Sequence, residues 1–124
     1  MSYQFIDLFC GAGGFSKGLE LAGFEWINAD DRDRSIFSFV RKSKNGKNNL
    51  LFVINFTPVA REDYRVGVPK NKTYKLVLNS EDPKFNGTDK DRKESYRAVK
   101  KECDGRQYSI AYPLPAYGVA VFKF

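Results

Sequence analysis

The chain has no histidine, only two cysteines, one methionine and one tryptophan in 124 residues. Without an imidazole, neither a zinc site nor a Cys/His nucleophile pair can be assembled, and Cys10 and Cys103 lie far apart with no metal-ligand spacing. Reduced thiols are the expected state of both. Also missing is any apolar run of about 18 residues, and the first residues carry Asp7 where a signal peptide has a basic stretch. Neither a membrane span nor a leader is expected, and a soluble, cytoplasmic chain is the reading. Internal repeats and low-complexity tracts are absent as well.

What is present is 42% hydrophobic residues with 15% aromatics, enough for the core of one domain. The charge is unevenly placed. Residues 1–31 hold one Lys against five acidic groups, and the remainder holds 20 basic against 10 acidic groups, net +10. Such asymmetry marks a join between unlike segments. A basic balance can serve nucleic acid, but here Lys and Arg are scattered through turns among Asp and Glu, which reads as solvated surface and argues against a nucleic-acid partner.

Along the chain, Gln4 to Cys10 form a short apolar run that ends in Gly11-Ala12-Gly13-Gly14, after which Phe15, Leu19 and Ala22 recur at helical spacing. This predicts strand, glycine turn and helix, and Phe24 to Ala29 followed by Asp30-Asp31 would complete a βαβ outline. From about residue 35 the period becomes two. Phe37 and Phe39 alternate with Ser38, Asn45-Gly46 signals a hairpin into Leu50 to Phe56, and Tyr64 to Val68 and Tyr74 to Leu78 follow as strands. Residues 79–106 are polar, with Pro83, Gly87 and Gly105, and read as a long mobile loop. Tyr108 to Tyr112 and Tyr117 to Phe122 then read as a closing hairpin around Pro113-Leu114-Pro115. The expected fold is mainly β, a sandwich or barrel preceded by a strand-turn-helix segment.

The stretch Asp7-Leu-Phe-Cys-Gly-Ala-Gly-Gly-Phe-Ser-Lys-Gly-Leu-Glu-Leu-Ala-Gly-Phe24 resembles motif I of the DNA cytosine-5 methyltransferases. The resemblance implies S-adenosylmethionine as cofactor, with Phe9 beside it, Gly11, Gly13 and Gly14 forming the turn that lets backbone approach it, and Asp31 at the position of the ribose-binding acid. The family's Pro-Cys nucleophile and Glu-Asn pair are missing: the five prolines precede Val59, Lys70, Lys84, Leu114 and Ala116, and no Glu precedes Asn. A lone βαβ unit also leaves the pocket open to water, so cofactor binding is expected to be weak or absent.

A second resemblance covers about four fifths of the chain. Trp26-Ile-Asn-Ala-Asp-Asp31, Ser35-Ile-Phe-Ser-Phe-Val-Arg-Lys42, Leu51-Phe-Val-Ile-Asn-Phe-Thr-Pro-Val59, Arg61-Glu-Asp-Tyr-Arg-Val-Gly-Val-Pro69 and Gly118-Val-Ala-Val121 are similar to the C-terminal domain of bacterial 1,4-α-glucan (glycogen) branching enzymes. This implies an all-β domain of the α-amylase C-terminal type, packed against a (β/α)₈ barrel that carries the catalytic carboxylates. That barrel takes about 250 residues and is not expected in this chain. Glu62-Asp63 and Glu81-Asp82 lie beside turns and are not expected to form the facing carboxylate pair that glucan transfer needs.

The two resemblances meet near Gly23, which divides the chain into a segment 1–23 and a β-domain 24–124. The functional expectation is a non-catalytic, structural or glucan-contacting domain related to two transferase families and complete for neither. Trp26, Tyr64 and Tyr96 are its candidates for stacking on sugar rings. No catalytic residue and no metal ligand is assigned, and the expected partners are α-glucan or a catalytic barrel.

Overall fold

A computed structural model describes residues 23–28, 35–89 and 92–124. The segment resembling methyltransferase motif I, including Phe9, Gly11, Gly13 and Gly14, lies outside the described residues, as does Asp31.

Eight strands follow in order: β1 (Phe24–Asn28), β2 (Ile36–Arg41), β3 (Leu50–Asn55), β4 (Arg61–Val68), β5 (Thr73–Asn79), β6 (Ser95–Arg97), β7 (Tyr108–Leu114) and β8 (Val119–Lys123). They form a six-stranded antiparallel sheet ordered β1-β2-β3-β8-β5-β6 and a two-stranded sheet of β4 and β7. The fold is mainly β, in two antiparallel sheets.

Period two in the sequence becomes two faces in the sheet. Ile36, Val40, Leu51, Val53, Tyr74, Ala120 and Phe122 turn inward and meet Tyr64, Val66, Val68, Ile110, Tyr112 and Leu114 of the smaller sheet in one core. Around Phe122 the core is aromatic: its ring meets Tyr112 edge-on at 5.0 Å and Tyr96 at 5.7 Å. Such T-shaped pairs add about 0.5–1.5 kcal/mol each beyond the area they bury.

The hairpin signalled by Asn45-Gly46 joins β2 to β3, with Gly46 at φ +73°. The closing hairpin does not form. β7 pairs with β4, whereas β8 inserts between β3 and β5. Both facts follow from composition. Val119-Ala-Val-Phe122 is apolar on both faces and suits a central strand, while Pro113 lacks an N–H and is tolerated in β7 because it lies at an irregular place in the ladder with β4, where the register shifts between Arg61 and Tyr64. Between them the chain passes from one layer to the other through a turn, in which the Gly118 N–H donates to Pro115 O at 3.1 Å.

The expected βαβ pairing of Phe24 to Ala29 is replaced, in the described part, by antiparallel pairing of β1 with β2. Gly23 begins this edge. At φ +94° its carbonyl accepts from the Lys42 N–H, and a side chain there would sit 2.8 Å from the Lys42 carbonyl.

The reading of residues 79–106 as a mobile loop is also corrected. Pro83–Phe85 form a 3₁₀ turn capped by the Asp82 carboxylate, and β6 adds to the edge of the large sheet. Residues 99–109 then fold into a narrow hairpin with bridges Val99–Ser109 and Cys103–Arg106. Its tip, Asp104-Gly105, has φ of +53° and +74°, the mirror-image turn that matches strand twist. The hairpin straps the back of β4. Asp104 accepts from the Gly67 N–H and from Asn28 Nδ2, both at 2.9 Å, and a Cβ on Gly67 would lie 2.3 Å from Cys103 O.

Candidate functional site

The face of the large sheet turned away from β4 and β7 is also apolar. Register places Trp26, Phe39, Phe52, Val121 and Leu78 opposite one another across five strands, and Phe37, Ile54 and Val119 form a second row. Phe39 and Phe52 stack at 4.8 Å, Trp26 meets Phe39 edge-on at 5.7 Å, and Phe56 meets Phe37 edge-on at 5.6 Å. A sheet with one solvated face normally alternates apolar with polar. Here the chain has placed apolar side chains on both faces, as a strand sandwiched between two layers does.

The ends of the sandwich differ in charge. At the end made by the β3–β4 loop, residues 80–89 with Arg92, and the β7–β8 turn, a cleft of about 400 Å³ is lined by Arg61, Glu62, Glu81, Asp89, Arg92 and Pro113 among others. Arg92 is clamped there by Asp89 and the Pro113 carbonyl, with its guanidinium 5.0 Å from the centre of the Tyr112 ring. Asn79 donates to the same Asp89 carboxylate at 3.1 Å.

The opposite end is formed by the β2–β3 hairpin loop, the β4–β5 turn and the end of β8. It carries Arg41, Lys42, Lys44, Lys47, Lys70, Lys72, Lys75 and Lys123. Scattered in sequence, these cations are gathered by the fold. Scatter along the chain is thus compatible with clustering at one end of the fold.

The three aromatic candidates part company. Tyr64 and Tyr96 are 4% and 6% exposed and belong to the core, so neither offers a ring face to a sugar. Trp26 is half-buried in the outer row beside Phe39. Burial raises the hydroxyl pKa of Tyr96 and of Tyr112, and pushes Tyr74 up to about 12 against the opposing pull of its hydrogen bond with Lys70. These are buried phenols held neutral. Glu62 and Asp63 are exposed, and Glu81 and Asp82 half-buried, around the acidic end. Among the described residues no cluster of three or more side chains suited to a metal occurs. No helix among them is long and apolar enough to cross a membrane.

A two-layer antiparallel domain with this inner core and a second apolar face is an accessory β-module, and the chain belongs to the α-amylase C-terminal all-β domain family, whose model matches residues 26–124. Within that family its similarity is to the branching enzymes. The 1,4-alpha-glucan branching enzyme GlgB of Butyrivibrio fibrisolvens is 48% identical over 102 residues, 82% of this chain and 16% of that enzyme. Those of Halothermothrix orenii and Aquifex aeolicus are 39% and 40% identical over 104 and 101 residues, again 16% of each enzyme. The chain thus spans about a sixth of the length of these relatives and matches their non-catalytic C-terminal domain. The methyltransferase resemblance of residues 4–24 gains no support from the comparisons.

Proposed function

We propose that the chain serves as the C-terminal β-domain of a 1,4-α-glucan branching enzyme, in a structural role: it packs the outer face of its six-stranded sheet against a (β/α)₈ catalytic barrel. The observation that carries this reading is the apolar row Phe52–Val121–Leu78 with its companions Phe37, Ile54 and Val119, in register on the face opposite the core. Leu78 is 38% exposed, and Phe37, Phe52, Ile54 and Val119 are partly exposed around the buried Val121. Apolar surface left partly open in one continuous patch suits a docking face, and the part of the relatives that this chain does not match supplies an occupant. The chain contributes no catalytic group. Direct glucan contact is the weaker version of the role, because two of the three aromatic candidates are core residues.

The test is reconstitution. The Butyrivibrio enzyme truncated before its own C-terminal domain is mixed with this chain, and association is followed by size-exclusion chromatography. A stable complex is expected, weakened at least tenfold by the pair Phe52→Asp and Val119→Asp; loss of about 1.4 kcal/mol suffices for that factor. Absence of a complex, with both partners folded by circular dichroism, removes the proposal. Co-sedimentation of the chain with glycogen would instead favour glucan contact.

A further inference from the structure

We propose that the basic end of the sandwich is a docking surface for the phosphate backbone of a nucleic-acid duplex, bound without readout of the bases. The inference stands on how the fold arranges charge. In the register of the large sheet, at the margin of its outer face and two residues beyond Phe39, Phe52 and Val121, Arg41 lies opposite Leu50, Leu50 opposite Lys123, and Lys123 opposite Lys75. This row crosses three interstrand steps, roughly 14 Å, a span that covers several base-pair steps of a duplex, whose axial rise is about 3.4 Å per phosphate of one strand. Lys75 and Lys123 are directly paired like charges, an arrangement that costs stability in a free sheet and that an anion relieves.

The loops at this end extend the row. Lys42, Lys44 and Lys70 line a depression of about 320 Å³ with Asn49, Pro69 and Phe124, which shows that the β2–β3 and β4–β5 turns lie side by side. Lys47 and Lys72 belong to the same two turns. The segments 41–47 and 70–75 contain no acidic residue. Glu25, which reaches this end, is engaged by Lys42 and by Arg106, and the Phe124 carbonyl accepts from the Asn49 N–H at 2.9 Å. Lys44, Lys47, Lys70, Lys72, Lys75 and Lys123 make no ion pair with a described carboxylate.

Residue type selects the partner. Lysine is depleted in the cores of protein interfaces but is a standard point-charge ligand for phosphate. A membrane surface is less well matched, because of the large exposed apolar side chains only Val99 lies near this end, whereas Phe56, Val59, Phe85 and Tyr117 border the acidic one. Among the described residues Phe124 is the one aromatic that lines this depression, and it is only partly exposed; without a row of open rings for bases to stack on, contact is to backbone, and duplex fits better than single strand.

Fluorescence anisotropy with a labelled random-sequence DNA duplex tests this. Binding is expected with Kd on the order of 10⁻⁴–10⁻⁶ M at physiological salt, tightening steeply at lower salt. Two double variants, Lys75→Gln with Lys123→Gln and Lys44→Gln with Lys47→Gln, should each reduce the log–log salt slope by about two while leaving circular dichroism unchanged. Lys84→Gln, beside the acidic end, should change nothing. Absence of binding at low salt, a slope unmoved by both double variants, or capture by phosphatidylserine vesicles without binding to duplex would each overturn the proposal.

Discussion

Gly67 shows how a single missing side chain holds this domain together. It sits on β4 where the 99–109 hairpin crosses, and its own N–H is the donor to Asp104. Gly67→Ala should therefore lift the strap and cost about 1–3 kcal/mol by overpacking, and Asp104→Ala a similar amount through the orphaned Gly67 and Asn28 donors; urea denaturation midpoints measure both. The buried phenols make an opposed pair of predictions. The Tyr74 hydroxyl donates to Lys70 O at 2.8 Å, so Tyr74→Phe should lose about 1 kcal/mol. The Tyr112 hydroxyl is buried with no hydrogen-bond partner, so Tyr112→Phe should be neutral or stabilising. Tyr74 also sets an alkaline limit. Its folded pKa of about 12 exceeds the usual 10, so unfolded chains lose the proton first. Stability from this residue is complete below pH 10 and falls between about 10 and 12, by roughly 1.4 kcal/mol per pH unit at most. The alkaline unfolding midpoint of Tyr74→Phe, compared with the parent, isolates that contribution.

Among elements, two hairpins are instructive because one is legible in sequence and the other is not. Asn45-Gly46 lies between apolar runs, and pattern and turn chemistry agree. Asp104-Gly105 has the same turn chemistry, but Glu102, Arg106 and Gln107 around it are polar, so the stretch passes for a loop. What makes it a hairpin is tertiary: the Asp104 carboxylate reaches across to Gly67 and Asn28, and Arg106 reaches Glu25 at 2.6 Å and Trp26 O at 3.0 Å. Hydrogen exchange distinguishes strap from loop. The amides of Val99, Cys103 and Ser109, each bonded to a backbone carbonyl at 2.9–3.0 Å, should exchange slowly, and exchange at free-peptide rates would contradict the strap.

For the whole molecule, the decisive feature is how the chain crosses between layers. Asn55, almost fully buried at the end of β3, donates to both Val59 O and Pro115 O while its own oxygen accepts from Thr57 N–H and Oγ1. One side chain thereby ties the β3–β4 and β7–β8 crossings. Asn55→Ala should cost about 2–3 kcal/mol, more than a typical surface change, because four hydrogen bonds made by one buried side chain are lost together; the thermal unfolding midpoint should drop accordingly. The same crossings separate charge, sending Glu62, Glu81 and Asp89 to one end and the lysines of residues 42–47, 70–75 and 123 to the other.

By itself the sequence determined the family and the strands other than β6. Alternation at Ile36–Arg41, Leu50–Asn55 and Arg61–Val68 is a local property, and the blocks from Trp26 to Val121 carry the branching-enzyme resemblance without reference to any contact. Tertiary structure alone decided which strands are neighbours, because β7 and β8 are adjacent in the chain yet satisfy their backbone hydrogen bonds in different sheets. It likewise decided that Tyr64 and Tyr96 are core while Phe52 faces outward, since period two defines two faces but not which one a second layer will cover. Only folding could bring Arg41, Lys75 and Lys123 into one row, because electrostatic clustering depends on distance in space and residues 41, 75 and 123 have none in common along the chain.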